Sequence, residues 1–329
     1  MDIKYMHNLR GFAIVLVIVA HSISALSTAN DIALLRSALT NATVLFVVIS
    51  GYFFSLLESR YSYYSYLVNK FKNVVFPYLF LSLPAALLYV MDLKQNHPWI
   101  DMSSFSQLGY VYKYLYLIGT GAHLGPLWFI PMIVLFFFTF PILRKIKKTR
   151  LLYIIFLLSL FMSYNVGRPE LNNQVFQSFV YFLPAYLFGM ILQKNEVLVS
   201  ELATLSILLL PVFCIFTLFI YYFYGYNSSI DNLLKLVLSL LTFAFFHEKL
   251  NFDFKPLSFL AGISFYLYFV HGYFISLLRI LLKEYSVGLP EIIIMMLVFI
   301  CVITTSALSY FILRKVFYKR RRFFLGSDY

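Results

Sequence analysis

Ten apolar runs alternate with short polar segments along the whole chain. A helix of about 20 apolar residues crosses the hydrocarbon core of a bilayer, and most of the runs approach this length. An even number of crossings places both ends of the chain on one side of the membrane. The pattern predicts an all-α, polytopic membrane protein with about ten transmembrane helices, near 9–28, 38–57, 74–92, 127–143, 151–165, 176–193, 203–224, 231–247, 257–282 and 289–313.

The basic residues orient these helices. Most of the 26 lysines and arginines fall in the segments that lie on the same side as the termini. Because cytoplasmic loops are enriched in Lys and Arg, both termini are predicted to be cytoplasmic. The two densest basic segments, 144–150 and 314–322, are interpreted as topology signals and contacts for anionic membrane lipids.

Composition supports a membrane protein and excludes other classes. Hydrophobic residues make up 61% of the chain and charged residues 12%, whereas a soluble domain carries about 25% charged residues. The net charge of +12 does not indicate a nucleic-acid partner, since the basic residues are divided among short segments between apolar runs. The two cysteines and six histidines show no disulfide or metal-ligand spacing, so no metal is expected. We expect one transmembrane domain over 1–329.

The first apolar run carries two ionisable residues, Arg10 and His21, separated by an uncharged stretch at 11–20. At about 100° and 1.5 Å per residue, both side chains fall on one helical face, about 16 Å apart along the axis. Arg10 is then near the cytoplasmic surface and His21 lies within the membrane, where an ionisable group is costly and often functional. The alternatives are an interfacial anchor for Arg10 and a hydrogen bond between helices for His21.

Several motifs, in this order, resemble the integral-membrane acyltransferase-3 family. They are Asn-Leu-Arg-Gly at 8–11 with His21 downstream, Ser-Gly-Tyr at 50–52, a basic stretch leading into Phe-Pro-Tyr at 70–78, Leu-Trp-Phe at 127–129, and the run 263–271 that ends in His271. The family often has an Arg-x-x-Arg pair in its second cytoplasmic loop. Here Lys70 and Asn73 occupy those positions, with Lys72 between them.

The resemblance implies ten transmembrane helices and transfer of an acyl group, usually acetyl, from cytosolic acyl-CoA. The acceptor would be a hydroxyl of a cell-envelope polysaccharide or a lipid-linked saccharide, and the location the inner (cytoplasmic) membrane. It also implies that Arg10 and His21 are the functional pair. An imidazole with an ordinary pKa of about 6.5 suits a general base, so His21 is expected to deprotonate the acceptor hydroxyl. Transfer through an acyl-His21 intermediate stays open.

The remaining candidates surround the donor and the acceptor. Arg10 is assigned to the phosphates or pantetheine of CoA, or to closing the donor channel. Lys70 and Lys72 are candidate phosphate contacts, with topology as the alternative. Ser50 and Tyr52 are candidates for binding the thioester oxygen or orienting His21, with helix packing as the alternative.

Trp128 and His271 are candidates for binding the saccharide, and the alternative for Trp128 is an interfacial aromatic belt. The main rival function is a transporter or flippase for a saccharide precursor or a small anion. A second rival is a structural membrane protein. We expect binding of acetyl-CoA from the cytosolic side to separate the enzyme from both.

Overall fold

The computed structural model describes residues 4–23, 25–26, 32–284 and 288–327, the side chains of 283 and 284 excepted. Over these residues the regular elements are helices and none is a strand, which confirms the all-α prediction. Within this described part of the chain, eight helices are long and apolar enough to cross a membrane, and a sharply bent pair makes nine if it is counted as one crossing. The protein is therefore a multi-pass membrane protein.

The described residues of the first half of the chain form nine α-helices, two of them joined through a π-helical segment at Phe71–Val75. These helices are α1 (Lys4–Ile23), α2 (Ala33–Leu39), α3 (Thr43–Leu57), α4 (Tyr63–Lys70), α5 (Phe76–Val90), α6 (Met102–Ser106), α7 (Tyr110–Thr120), α8 (Phe129–Phe138) and α9 (Phe140–Lys147).

The second half contains the other nine. They are α10 (Leu151–Val166), α11 (Val175–Lys194), α12 (Glu196–Glu201), α13 (Ala203–Tyr224), α14 (Ser228–Lys249), α15 (Lys255–Gly262), α16 (Ser264–Glu284), α17 (Glu291–Phe317) and α18 (Arg321–Leu325).

Every predicted apolar run contains a helix, but the bounds differ. Helix α1 begins at Lys4, ahead of the predicted start, and residues 24 and 27–28 of that run lie outside the described residues. The run at 257–282 is broken after Gly262 into α15 and α16. Helix α10, with 16 residues, is the shorter apolar helix that brings the number of runs to ten. It is about 24 Å long, less than the bilayer core of about 30 Å.

The fourth crossing is bent rather than straight. Helix α7 leads through Gly121, with φ of 70°, into a 3-10 turn at Gly125–Trp128 and then α8, and the two parts meet at 75°. The positive φ explains why a glycine occupies this position. The segment between Gly121 and Trp128 therefore forms a sharp bend and does not continue α7 as a straight helix.

Helices α3 and α11 form the tightest packing in the bundle. A Cβ atom at Gly51 would overlap the carbonyl oxygen of Tyr186, and one at Gly189 would overlap that of Val48. Each glycine therefore lets the other helix approach backbone to backbone, as small residues do in membrane helix pairs.

The two ends of the chain lie at the same end of the bundle. The Arg10 side chain donates to the carbonyl oxygen of Ala261, and the Ser327 hydroxyl donates to that of the adjacent Gly262. Helix α18 folds back onto α5, where Phe323 stacks on Phe76 with ring centroids 3.7 Å apart. This agrees with an even number of crossings, while the cytoplasmic placement of that end stays a prediction.

Candidate active site

Helix α1 is fixed at its Arg10 end by contacts with α15 and the segment before it. The Asn8 side-chain amide donates to the carbonyl oxygens of Leu250 and Phe252, at 2.8 and 2.7 Å. At Gly11 the backbone of Leu257 comes so close that a Cβ atom would overlap its carbonyl oxygen. These contacts set both the height and the rotation of α1, and hence where Arg10 points.

Arg10 lies in the wall of a cavity. Its guanidinium donates to the Ala261 carbonyl oxygen, while its Nε is buried and has no hydrogen-bond partner among the described residues. Such an unmatched donor is costly in a closed protein interior. A half-buried cation with a spare donor at a cavity wall is well suited to binding an anionic group.

The cavity has a volume of about 700 Å³, which is within the range of small-molecule sites, about 300–1,000 Å³. It is enclosed by α1, α3, α4, the π-helical segment, α8, the junction of α15 with α16, and the C-terminal tail. Its wall combines aromatic rings with a few polar groups. The charged residues among those that line it are Arg10, Glu58, Lys70 and Arg322, and the aromatic residues are Phe46, Phe53, Phe54, Tyr61, Tyr66, Phe129, Phe137, Tyr186, Phe265 and Tyr268.

The two candidate lysines differ in position. Lys70 lines the cavity, with its ammonium 5.3 Å from the Tyr66 ring and 5.1 Å from the Phe137 ring. Lys72 is exposed and is not among the lining residues. Asn73, at the second position of the family's basic pair, also lines the cavity and donates to the Asn69 carbonyl oxygen at 2.8 Å.

Ser50 and Tyr52 are likewise separated. Ser50 lines the cavity and its hydroxyl donates to the Phe46 carbonyl oxygen at 2.8 Å. Tyr52 is buried outside the cavity wall and donates to the Glu196 carboxylate at 2.7 Å. The side chains of residues i and i+2 on a helix point about 200° apart around the axis, so Tyr52 faces away from a site that Ser50 faces.

His21 lies next to His271 rather than in the cavity wall. Their ring centroids are 5.3 Å apart, and His271 is fully buried. Tyr268, one turn before His271 on α16, does line the cavity, and its ring centroid is 5.9 Å from that of His271. Arg10 thus contacts α15, through Ala261, and His21 contacts α16, through His271. Tyr268 lies at the boundary between the cavity and the two histidines.

Trp128 is not among the residues that line the cavity. It is 4% exposed, and its ring stacks on Phe182 with centroids 5.5 Å apart. The Arg168 guanidinium lies 5.9 Å from the Trp128 ring centroid. With Phe182 and Arg168 against it, the indole is packed in the core and does not form an exposed belt.

The structure adds residues that the sequence interpretation left out. Arg144 and Lys147, from the segment interpreted as lipid-contacting, pair with the buried Glu58 carboxylate at 2.9 and 3.4 Å. Arg322, from the segment interpreted in the same way, lines the cavity. The sequence could have indicated Tyr268, because it lies three positions before His271 and therefore shares its helical face. Glu58 could not be found in this way, because its partners Arg144 and Lys147 are distant in sequence. Nor could Arg322, which lies in a basic segment that has the composition of a topology signal.

Comparison with known proteins places this site in a family. A family model described as an acyltransferase domain matches residues 3–313. The searches found no match among curated proteins and none among solved structures. Since the family model covers nearly the whole sequence, and the membrane helices and the Arg10–His21 helix are those that the motifs indicated, the chain belongs to the acyltransferase-3 family.

Proposed function

We propose that this acyltransferase transfers an acetyl group from acetyl-CoA in the cytosol to a hydroxyl of a cell-envelope polysaccharide or a lipid-linked saccharide. The proposed location is the inner (cytoplasmic) membrane. The observation that supports this best is the cavity of about 700 Å³. Its wall holds Arg10, Lys70 and Arg322 at the end of the bundle where the termini lie.

The lining of this cavity suits an acyl-CoA donor. Guanidinium and ammonium groups bind phosphate through charge-assisted hydrogen bonds. The aromatic rings of α3, α4 and α8 provide an apolar channel for the uncharged pantetheine arm. In this proposal the phosphates stay near Arg10, Lys70 and Arg322, and the thioester is directed toward Tyr268.

The histidine pair lies beyond Tyr268 and supplies the base. His21 removes the proton of the acceptor hydroxyl, and the oxygen attacks the thioester carbonyl. The carbon–sulfur bond then breaks, and the CoA thiolate leaves with the electron pair and takes up the proton. Tyr268 must shift for the thioester to reach His21. An acyl-His21 intermediate is an alternative order of the same steps.

Replacement of His21 tests this assignment. His21→Ala is expected to abolish O-acetylation, because the hydroxyl loses its base, while the level of the protein in the membrane stays unchanged. The measurement is mass spectrometry of envelope glycans from cells that carry the intact gene, the variant or no gene. The gene is expected to add an acetyl mass that the variant does not add.

A second measurement separates the proposal from its rivals. Saturable binding of acetyl-CoA to the purified protein is expected of the enzyme and not of a flippase or a scaffold. Envelope glycans that are identical with and without the gene would contradict the proposed function, and full acetylation by His21→Ala would remove His21 from the mechanism.

A further inference from the structure

His271 has a fixed hydrogen-bonding arrangement. Its Nδ1 lies 2.9 Å from the carbonyl oxygen of Leu267, four residues earlier on α16. A carbonyl oxygen can only accept a hydrogen bond, so Nδ1 carries the hydrogen. In the neutral ring, Nε2 then holds a lone pair and acts as an acceptor.

The proposed function assigns no role to the Nε2 atom of His271. It is buried and has no hydrogen-bond partner among the residues that the structure describes. A buried acceptor without a partner is unfavourable, and such atoms often mark a functional role. The ring beside it is that of His21, at 5.3 Å between centroids and tilted by 49°.

The surroundings of His271 are tightly packed. Gly272, the next residue, lies against Leu124 and Pro126 of the bent crossing, so that a Cβ atom there would be 2.9 Å from each side chain. The Tyr268 hydroxyl donates to the Pro126 carbonyl oxygen. The stretch of α16 that carries His271 is therefore packed closely against the bent crossing, and the Nδ1 bond to Leu267 fixes the ring on that stretch, as expected of a group that orients another.

We propose that His271 is a positioning residue for His21, an inference that rests on the proposed function. The lone pair on His271 Nε2 accepts a hydrogen bond from an N–H of His21 as the two rings close up in the reacting complex. This fixes the tautomer of His21, so that its other ring nitrogen presents a lone pair to the acceptor hydroxyl. It is the role that a carboxylate has in a serine hydrolase triad, here filled by a neutral imidazole.

The same hydrogen bond stabilises the charge that develops during transfer. When the hydroxyl proton moves to His21, the resulting imidazolium lies within the membrane, where an isolated cation is costly. His271 stays neutral and accepts the hydrogen bond throughout. The proton then passes from His21 to the departing thiolate. His271 therefore neither gains nor loses a proton over the cycle.

Two substitutions at this position separate the two ring nitrogens. His271→Asn retains a donor for the Leu267 carbonyl oxygen and lacks the Nε2 acceptor. Asn195 of this chain makes the same bond to the carbonyl oxygen four residues earlier, at 2.8 Å. His271→Gln has a longer side chain, whose amide oxygen is placed near the position of Nε2. A role through Nε2 thus favours Gln, and a purely structural role through Nδ1 favours Asn.

The experiment uses the full-length protein in proteoliposomes, with acetyl-CoA as donor and envelope polysaccharide from a strain that lacks the gene as acceptor. Release of the CoA thiol gives the rate. We expect His271→Asn to lower kcat by about 10- to 100-fold, the effect of one hydrogen bond to a charged group, with donor binding unchanged. His271→Gln is expected to lose less than His271→Asn.

His123 provides a matched control. It too is buried, with Nδ1 3.0 Å from the Leu117 carbonyl oxygen and an Nε2 that has no hydrogen-bond partner among the described residues. Its ring packs against Tyr78, with centroids 6.0 Å apart. His123→Asn is expected to change kcat by less than about 3-fold, because the Asn amide retains a donor at the Nδ1 position and the Nε2 atom of His123 has no part in the proposed reaction.

The outcomes separate the inference from the function on which it rests. An inactive wild-type protein would refute the proposed function and with it this role of His271. An active wild type with His271→Asn at full rate would refute the role of His271 alone. Equal losses in the Asn and Gln variants, accompanied by weaker donor binding, would show a structural role and would also refute it.

Discussion

Lys70 and Lys72 are two positions apart in the sequence but differ in their access to the cavity. Only Lys70 reaches the cavity, where its ammonium lies over two aromatic rings, whereas Lys72 is exposed. A cation held against aromatic faces keeps its charge close to an apolar wall, where an approaching phosphate is less screened than at the surface. The two lysines therefore form a matched pair, and we expect only Lys70 to contribute to donor binding.

Donor affinity should distinguish these two lysines. Lys70→Ala is expected to weaken acetyl-CoA binding by about 10-fold, the loss of one charge-assisted contact of about 1.4 kcal/mol. Lys72→Ala removes the same charge from the exposed position and is expected to change the Kd by less than about 2-fold. Titration of the purified variants with acetyl-CoA gives both values, and equal effects would show that the cavity does not hold the donor phosphates.

At the scale of the helices, the apolar runs predicted where the chain is helical but not how the helices end. Each run is visible because apolar residues must be contiguous over most of a bilayer. The π-helical segment at Phe71–Val75 and the bend after Thr120 leave no such trace, since both depend on neighbouring helices. The partners of Tyr52 and Glu58, which are Glu196 and Arg144, are likewise set by packing between distant segments.

Arg10, Ser50 and Lys70 were predicted at the site and do line one cavity, because the family motifs named them directly. Arg322 was not predicted, since a basic segment after the last crossing has the composition of a topology signal. Only the return of α18 onto α5 brings that side chain into the wall of the cavity that Lys70 and Arg10 also line. Sequence patterns thus indicated two of the four charged residues that line the cavity, Arg10 and Lys70, but not Glu58 or the tail segment that carries Arg322.

Truncation of the C-terminal tail tests its part in this cavity. A chain that stops after Arg320 lacks α18 and three residues that line the cavity. Of these, Arg322 lies within α18, and Gly326 and Ser327 follow it. Donor affinity is expected to fall by at least about 10-fold, because a phosphate contact and part of the wall are both lost.

The matched control for the tail is the double variant Arg314→Gln and Lys315→Gln. It also removes two positive charges, but from the last turn of α17, outside the cavity wall. Its acetyl-CoA affinity should stay near that of the wild type. A truncated protein that binds acetyl-CoA as tightly as the wild type would show that the tail is not part of the donor site.

At the scale of the whole molecule, the bundle depends on a rigid pair of helices. Gly51 and Gly189 let α3 and α11 approach backbone to backbone, with no space for an added methyl group. Carbonyl oxygens cannot move aside as the end of a flexible side chain can. The cavity residues on α3, including Ser50, therefore stand on a fixed wall, and the movement that admits substrates must occur elsewhere in the bundle.

Gly51→Ala is accordingly expected to destabilise the protein by at least about 2 kcal/mol, through overpacking against the Tyr186 carbonyl oxygen. The measurement is the thermal unfolding midpoint in detergent. Gly119→Ala is the control, because a Cβ atom at Gly119 would meet no atom within 4 Å. It should be neutral or stabilising by up to about 1 kcal/mol, as expected for Gly to Ala in a helix. A Gly51→Ala protein as stable as the wild type would mean that the two helices separate readily.

The bend between α7 and α8 has a cost within a membrane, where an interrupted helix exposes carbonyl oxygens that no water can satisfy. Side chains supply the missing donors here. Tyr78 donates to the Ile118 carbonyl oxygen at 2.7 Å, and Tyr268 donates to that of Pro126. His97 Nε2 lies 2.6 Å from the Ala122 oxygen, and burial lowers the pKa of His97, which favours its neutral form. Side chains from three other parts of the chain thus take the place of backbone amides at the bend. A change in any of them is expected to move Leu124 and Pro126, which lie against Gly272 next to His271.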